Sequence, residues 1–303
     1  MTKGLVFDAK LWLFVALALF TAFYLWILIA AARRRAKFEP VSPKPRAAAT
    51  GFVTAFFDTL GIGSFATTTS IFRQWHVVDD AVMPGTLNVG ITLPTVVQAY
   101  IYTRLIPVDS RTLIVMIAAS VIGAWIGAGV VARWPKPRIQ IGMGTALLIA
   151  AAIFLGQALA FLPSPGVALG LTGGRLVVAI AGNFALGALM TLGIGLYAPC
   201  MILVSLLGLT PTAAFPIMMG SCAFLMPVAS ARFIKLDRYD IRAALGLALG
   251  SIPAVLLAAF IVKSLNLTAV RWLVIVVVVY TAFGLLRAAR RERVVAGAAV
   301  ETV

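Results

Sequence analysis

Reactive side chains are scarce in this chain. It has one histidine, two cysteines and only 10 acidic residues among 303. A single histidine excludes a multi-histidine metal centre. Cys200 and Cys222 both lie inside apolar runs and offer neither a disulfide framework nor a metal-ligand spacing. No metal and no cofactor is expected. An intramembrane enzyme would need a cluster of reactive groups, and none is visible, so the chain is not read as an enzyme. No Gly-x-x-x-x-Gly-Lys-Ser/Thr run occurs, which excludes direct driving by ATP through a P-loop. Charge of either sign is sparse too: 12% of residues, against about 25% in soluble domains.

What fills the chain instead is apolar surface, 62% of residues. A fold cannot hide that much from water, so lipid is its solvent. The net charge of +15 comes from 25 basic residues. They stand mostly in short clusters between apolar runs, a pattern that orients spans and meets lipid headgroups rather than nucleic acid. The bilayer is therefore the expected partner. The first run, Leu11 to Ala32, is too long for a signal-peptide core and carries its stronger basic flank, Arg33-Arg34-Arg35, behind it. It is read as a true span.

Apolar windows predict an all-α polytopic membrane protein with about nine spans: 11–32, 50–72, 81–104, 110–132, 139–162, 176–208, 212–234, 240–262 and 268–288. Alternating them with the N-terminus outside and the C-terminus in the cytoplasm puts most basic residues inside, as in a bacterial-type inner membrane. The run Arg133 to Arg138 falls on the wrong side. Residues 176–208 are too long for one rod and hold Gly193 and Gly195 mid-run, so a broken helix is expected there. If such a pair re-enters rather than crosses, the later topology flips.

The chain also repeats itself. Thr59-Leu60-Gly61-Ile62-Gly63 recurs as Thr191-Leu192-Gly193-Ile194-Gly195, and Pro84, Pro94, Asp109, Arg111 and Ser120 have collinear matches, at offsets of 131 to 133, in Pro216, Pro227, Asp240, Arg242 and Ser251. The layout is an N-terminal helix and basic connector (1–47), a first four-segment repeat (48–162), a loop (163–175), a second repeat (176–290) and a tail (291–303). An even number of crossings per copy gives parallel repeats and an odd number gives inverted ones; the charge count leans to parallel.

In these motifs the sequence resembles the TauE/SafE sulfite-exporter family of membrane permeases. The resemblance rests on Asp58-Thr59-Leu60-Gly61-Ile62-Gly63-Ser64, Pro84-Gly85-Thr86-Leu87-Asn88 and Pro107-Val108-Asp109-Ser110-Arg111 in the first copy. In the second it rests on Thr191 to Leu196, Met219-Gly220-Ser221-Cys222 and Tyr239-Asp240-Ile241-Arg242. It spans roughly residues 48–290 and implies two four-span copies that move sulfite, organosulfonates or related sulfur oxyanions.

Chemistry singles out the glycine runs first. A helix can break at Gly61, Gly63, Gly193 and Gly195, and the half-helix that restarts offers amide N–H groups and a positive dipole end to an anion. Ser64, Thr67 and Thr68 follow the first break. Tyr197 and Cys200 follow the second. Asn88 and Thr92, four apart on one helix face, and Ser221 and Cys222 in the matching region of the second copy are expected to complete a substrate cavity. Gln98 is a weaker candidate. Asp58 is the one acidic residue well inside a span, and it is given the proton-coupling role. The same residues could instead serve close helix packing and backbone capping. The expected activity is secondary transport, most simply export, of a small sulfur oxyanion by alternating access. Transport of another small organic anion and a non-transport scaffold are the alternatives, and self-association into a homo-oligomer stays open.

Overall fold

The structure, a computed structural model, describes residues 2–301 apart from 38–39, 132–135, 162–165, 191–194 and 265–266. Its regular elements there are helices: α1 (Thr2–Arg35), α2 (Pro45–Thr59), α3 (Ser64–Gln74), α4 (Met83–Leu105), α5 (Ser110–Val131), α6 (Lys136–Ala158), α7 (Gly173–Met190), α8 (Tyr197–Leu206), a 3-10 turn (Pro211–Ala213), α9 (Ala214–Lys235), α10 (Ile241–Ser264) and α11 (Leu267–Glu301). Helices are what a lipid-soluble chain requires, because each satisfies its own backbone polar groups. Among the described residues, six helical stretches are long and apolar enough to cross a membrane: Lys10–Arg35, Pro137–Ala158, Gly173–Met190, Pro211–Lys235, Ile241–Ile261 and Trp272–Arg291. α4 is not one of them although it has 23 residues. It carries Thr86, Thr92, Thr95, Gln98 and Thr103, all buried.

Residues 50–72, expected as one span, belong to two helices that form a hairpin. α2 starts on Pro45, a residue suited to the first turn because its missing N–H has no helical partner there. It ends in a Schellman motif: the Ile62 N–H reaches the Phe57 carbonyl (3.1 Å) and the Gly61 N–H reaches the Asp58 carbonyl (2.8 Å). α3 then returns. It closes with the same motif at His76, where the Val77 N–H bonds the Phe72 carbonyl at 3.0 Å. The two ends of the hairpin meet, because Lys44 Nζ, just before α2, donates to the Val77 carbonyl just after α3 (2.8 Å). Arms of 15 and 11 residues reach about 22 Å and about 16 Å, short of a hydrocarbon core of about 30 Å.

The stretch 176–208 is likewise two helices, α7 and α8, and the first four residues between them lie outside the described ones. Its ends also meet. The Ala168 N–H donates to the Gly208 carbonyl (3.2 Å), and the Thr210 N–H donates to the Ala168 carbonyl (2.9 Å). α8 stops in a Schellman motif at Gly208, which stands from His76 at the same spacing as the two Gly-Ile-Gly runs stand from each other.

The helices gather into two compact units. The first holds Met1–Ile117 with Phe215–Ser264, and the second holds Ala118–Ala214 with Leu265–Val303. Each unit thus draws on both stretches set out from the sequence. In the first unit, α10 packs along α2 and α4. The α2–α10 approach needs glycine: a Cβ on Gly250 would fall 1.9 Å from the Ala48 carbonyl oxygen, and one on Gly51 would fall 2.6 Å from that of Leu247. Ser251 Oγ adds a hydrogen bond to the Gly51 carbonyl (3.1 Å). α1 joins through a cluster in which Tyr24 and Leu28 meet Val89, Ile234 and Tyr239, and the Tyr24 hydroxyl donates to the Val89 carbonyl.

Polar contacts close one end of this unit. Lys44 Nζ also binds Asp240 Oδ2 (2.6 Å), whose other oxygen caps α10 at the Ala243 N–H (2.9 Å). Arg35 pairs with Asp237 and lies over the Tyr239 ring, 5.1 Å from its centroid. Burial pushes the Tyr239 phenol above its ordinary value, with Arg35 opposing. In the second unit α6 runs along α11, and α5 meets α7 so closely that a Cβ on Gly187 would fall 2.0 Å from the Ser120 carbonyl oxygen.

Candidate functional site

The first Gly-Ile-Gly run is a helix break whose geometry glycine permits. Gly61 has φ 99° and Gly63 φ 79°, values that strain any residue with a Cβ. The chain leaves α2 at Thr59, passes Leu60 to Gly63 and restarts as α3 at Ser64.

Asp58 lies at the centre of the break. It is buried in the last turn of α2, the negative end of that helix dipole and a poor place for a carboxylate. The turn offsets this by bringing the positive end of α3 to it. The Ser64 N–H donates to Asp58 Oδ1 (2.6 Å), and Gln98 Nε2 on α4 donates to Oδ2 (2.9 Å). Both oxygens act as acceptors, the pattern of an ionised carboxylate. Gln98 Nε2 also reaches Thr59 Oγ1 (2.9 Å), and one turn along α4 the Tyr102 hydroxyl satisfies the Thr59 carbonyl (2.9 Å), which the end of α2 leaves without a helical partner. Thr68 on α3 donates to Thr54 Oγ1 on α2 (3.0 Å).

Three of the groups expected to receive an anion are engaged with the protein itself: the Ser64 amide and the hydroxyls of Thr67 and Thr68. The Ser64 amide is held by Asp58. The Thr67 hydroxyl donates to the Ser64 carbonyl (2.9 Å), and that of Thr68 is spent on Thr54. Asn88 is half-buried on α4. Thr92 bonds the Asn88 carbonyl (2.7 Å) and faces Ser230 Oγ of α9 (2.9 Å). That contact links the two proline-bearing helices, with Pro94 in α4 and Pro227 in α9. Ser221 and Cys222 are buried on α9 in the same unit.

The second run is less fully drawn. Gly193 lies outside the described residues. Gly195 is exposed, while Tyr197 and Cys200 are buried on α8 in the second unit. Thr54, Tyr102 and Ser230 carry no expectation from the sequence, and Thr59 enters there only as part of the repeated run. Helical spacing carried a signal for two of them: Thr54 stands four residues before Asp58, and Tyr102 stands four after Gln98. Nothing local marks Ser230.

No curated protein and no solved structure matches the chain. A family does. Residues 4–154, a stretch that contains the whole Asp58 network, match the family model Sulfite exporter TauE/SafE. The N-terminal half of this chain therefore belongs to the sulfite exporter TauE/SafE family of membrane transporters.

Proposed function

We propose that the protein is a secondary transporter, in the export direction, of a small sulfur-containing oxyanion such as sulfite or an organosulfonate. It would lie in a bacterial-type inner membrane and work by alternating access. The observation that carries this reading is the helix break at Leu60 to Gly63 with the buried Asp58 beside it, set against the polar helix α4 within a half-chain of the sulfite exporter family. A scaffold has no need to bury a carboxylate there, since an unpaired charge in a membrane interior costs several kcal/mol. Export of a monoanion from a negative-inside cell is favoured by about 2.3 kcal/mol per 100 mV.

Asp58 takes the coupling role in this proposal. Its charge occupies the α3 amide that a substrate anion would seek, and two anions repel at one helix end. Protonation would remove that charge. It would also make the oxygens weaker acceptors for the Ser64 N–H and the Gln98 Nε2 donor, so proton uptake weakens the Asp58–Gln98 pair. Anion arrival and proton arrival are linked through this one network. The residues proposed to bind substrate are Gly61, Gly63, Ser64, Thr67, Thr68, Asn88, Thr92, Ser221 and Cys222 and, in the matching run before α8, Gly193, Gly195, Tyr197 and Cys200.

Proteoliposomes test the proposal. Saturable sulfite or sulfonate flux is expected from the native chain, with loss in Gly61→Leu, whose Cβ is strained at φ 99°. Asp58→Asn should transport without pH dependence. Absence of saturable flux for every oxyanion tried would leave the scaffold reading, and full pH dependence in Asp58→Asn would remove the coupling role.

A further inference from the structure

We infer that the α2–α3 hairpin re-enters the membrane: it leaves by the face through which it enters, the one that carries Lys44 and Asp240.

The first hairpin is fixed by contacts inside the first unit. If it crossed, residues before α2 and after α3 would stand a bilayer apart. Lys44 instead holds the Val77 carbonyl at 2.8 Å and Asp240 at 2.6 Å, and the Asp240 N–H donates to Thr86 Oγ1 at the start of α4 (2.9 Å). The start of α2, the end of α3, the start of α4 and the start of α10 therefore share one end. The direction of α4 gives a second, independent reading. Its far end lies beside the opposite end of α1: Tyr100 packs on Phe14 with ring centroids 5.3 Å apart, and the Arg104 guanidinium lies 5.8 Å from the Phe14 ring. The other end of α1, at Arg35, pairs with Asp237. α1 and α4 thus run antiparallel. An even number of crossings would have to separate them if the intervening pair were not a crossing at all, and zero is what the hairpin supplies. Were residues 50–72 a full span, α4 would run parallel to α1.

Single-cysteine labelling tests this in a Cys200→Ala, Cys222→Ala background with a membrane-impermeant maleimide, applied to intact cells and to inverted vesicles. Lys37→Cys marks the connector. Asp79→Cys, at an exposed position, reports the far end of the hairpin. It is expected to label only from the Lys37→Cys face. Nine alternating spans give the reverse. Labelling of Asp79→Cys from the face opposite to Lys37→Cys, or from neither face, would overturn the inference. Ala81→Cys, also exposed, replaces Asp79→Cys if that variant fails to run as a single species on gel filtration. The readout does not involve transport: a chain that labels as expected and carries no sulfite would remove the substrate and leave the topology standing.

Discussion

Replacing Asp58 separates its structural load from its charge. Asp58→Ala removes both acceptors. The Ser64 amide is left buried without an oxygen, at about 1–3 kcal/mol for an orphaned donor, and α3 loses the negative group at its positive end, worth a further ~0.5–1 kcal/mol. Asp58→Asn keeps an oxygen for Ser64 but turns an NH2 toward the Gln98 NH2. Gln98 cannot simply turn over, because its Nε2 also serves Thr59 Oγ1, and the Thr59 hydrogen is committed to the Ala55 carbonyl at 2.7 Å. One buried bond is lost, about 1 kcal/mol. With about 2 °C per kcal/mol for a chain of this size or larger, Asp58→Ala should lower the melting temperature by roughly 5 °C and Asp58→Asn by roughly 2 °C. Thermal unfolding in detergent, followed by fluorescence-detected gel filtration, reads both. An alanine variant as stable as the native chain would refute the reasoning, for it would mean that the α3 terminus is satisfied without Asp58.

Other substitutions probe the packing. Gly250→Leu should abolish folded protein, since its Cβ would sit 1.9 Å from the Ala48 oxygen, while Gly142→Leu, with open space around it, should be recovered at native yield; purification yields compare them. A Thr92→Val, Ser230→Ala double-mutant cycle should give a coupling of about 0.6 kcal/mol in unfolding experiments, the usual size for a buried interhelical bond. Lys44→Met should cost no more than about 1 kcal/mol because both partners remain part-exposed, and the loss should shrink in high salt when melting is measured at two ionic strengths. Native Cys200 and Cys222 should resist thiol reagents until the protein is unfolded in SDS, both being buried, and mass spectrometry of the alkylated chain counts the adducts.

The sequence announced some of this and concealed the rest, for physical reasons. The break at Gly61 was legible because two glycines mid-run do one thing well, and both take positive φ. The polar character of α4 was legible residue by residue, through Asn88, Thr92 and Gln98. Asp58 stood out as the lone embedded acid, and its bond to Ser64 is local, six residues along. Its second partner, Gln98, is 40 residues away, and nothing in hydropathy points to it. The return of α3 was concealed as well. An apolar window reports solvent preference and not direction, so 50–72 reads as one span whether the chain crosses or turns back. The meeting of Lys44 with Val77 distinguishes the two, and so does the antiparallel run of α1 and α4.

The pairing of α2 with α10 bears on how the chain is made. Gly51 and Ser251, which touch in the finished protein, are 200 residues apart. During synthesis the first hairpin must wait, with its glycine face unfilled, until nearly the whole polypeptide has emerged and α10 arrives to cover it. A ribosome stalled after α6 would leave that hairpin without its main neighbour, so chains truncated there are expected to be degraded rather than to persist as half-sized bundles.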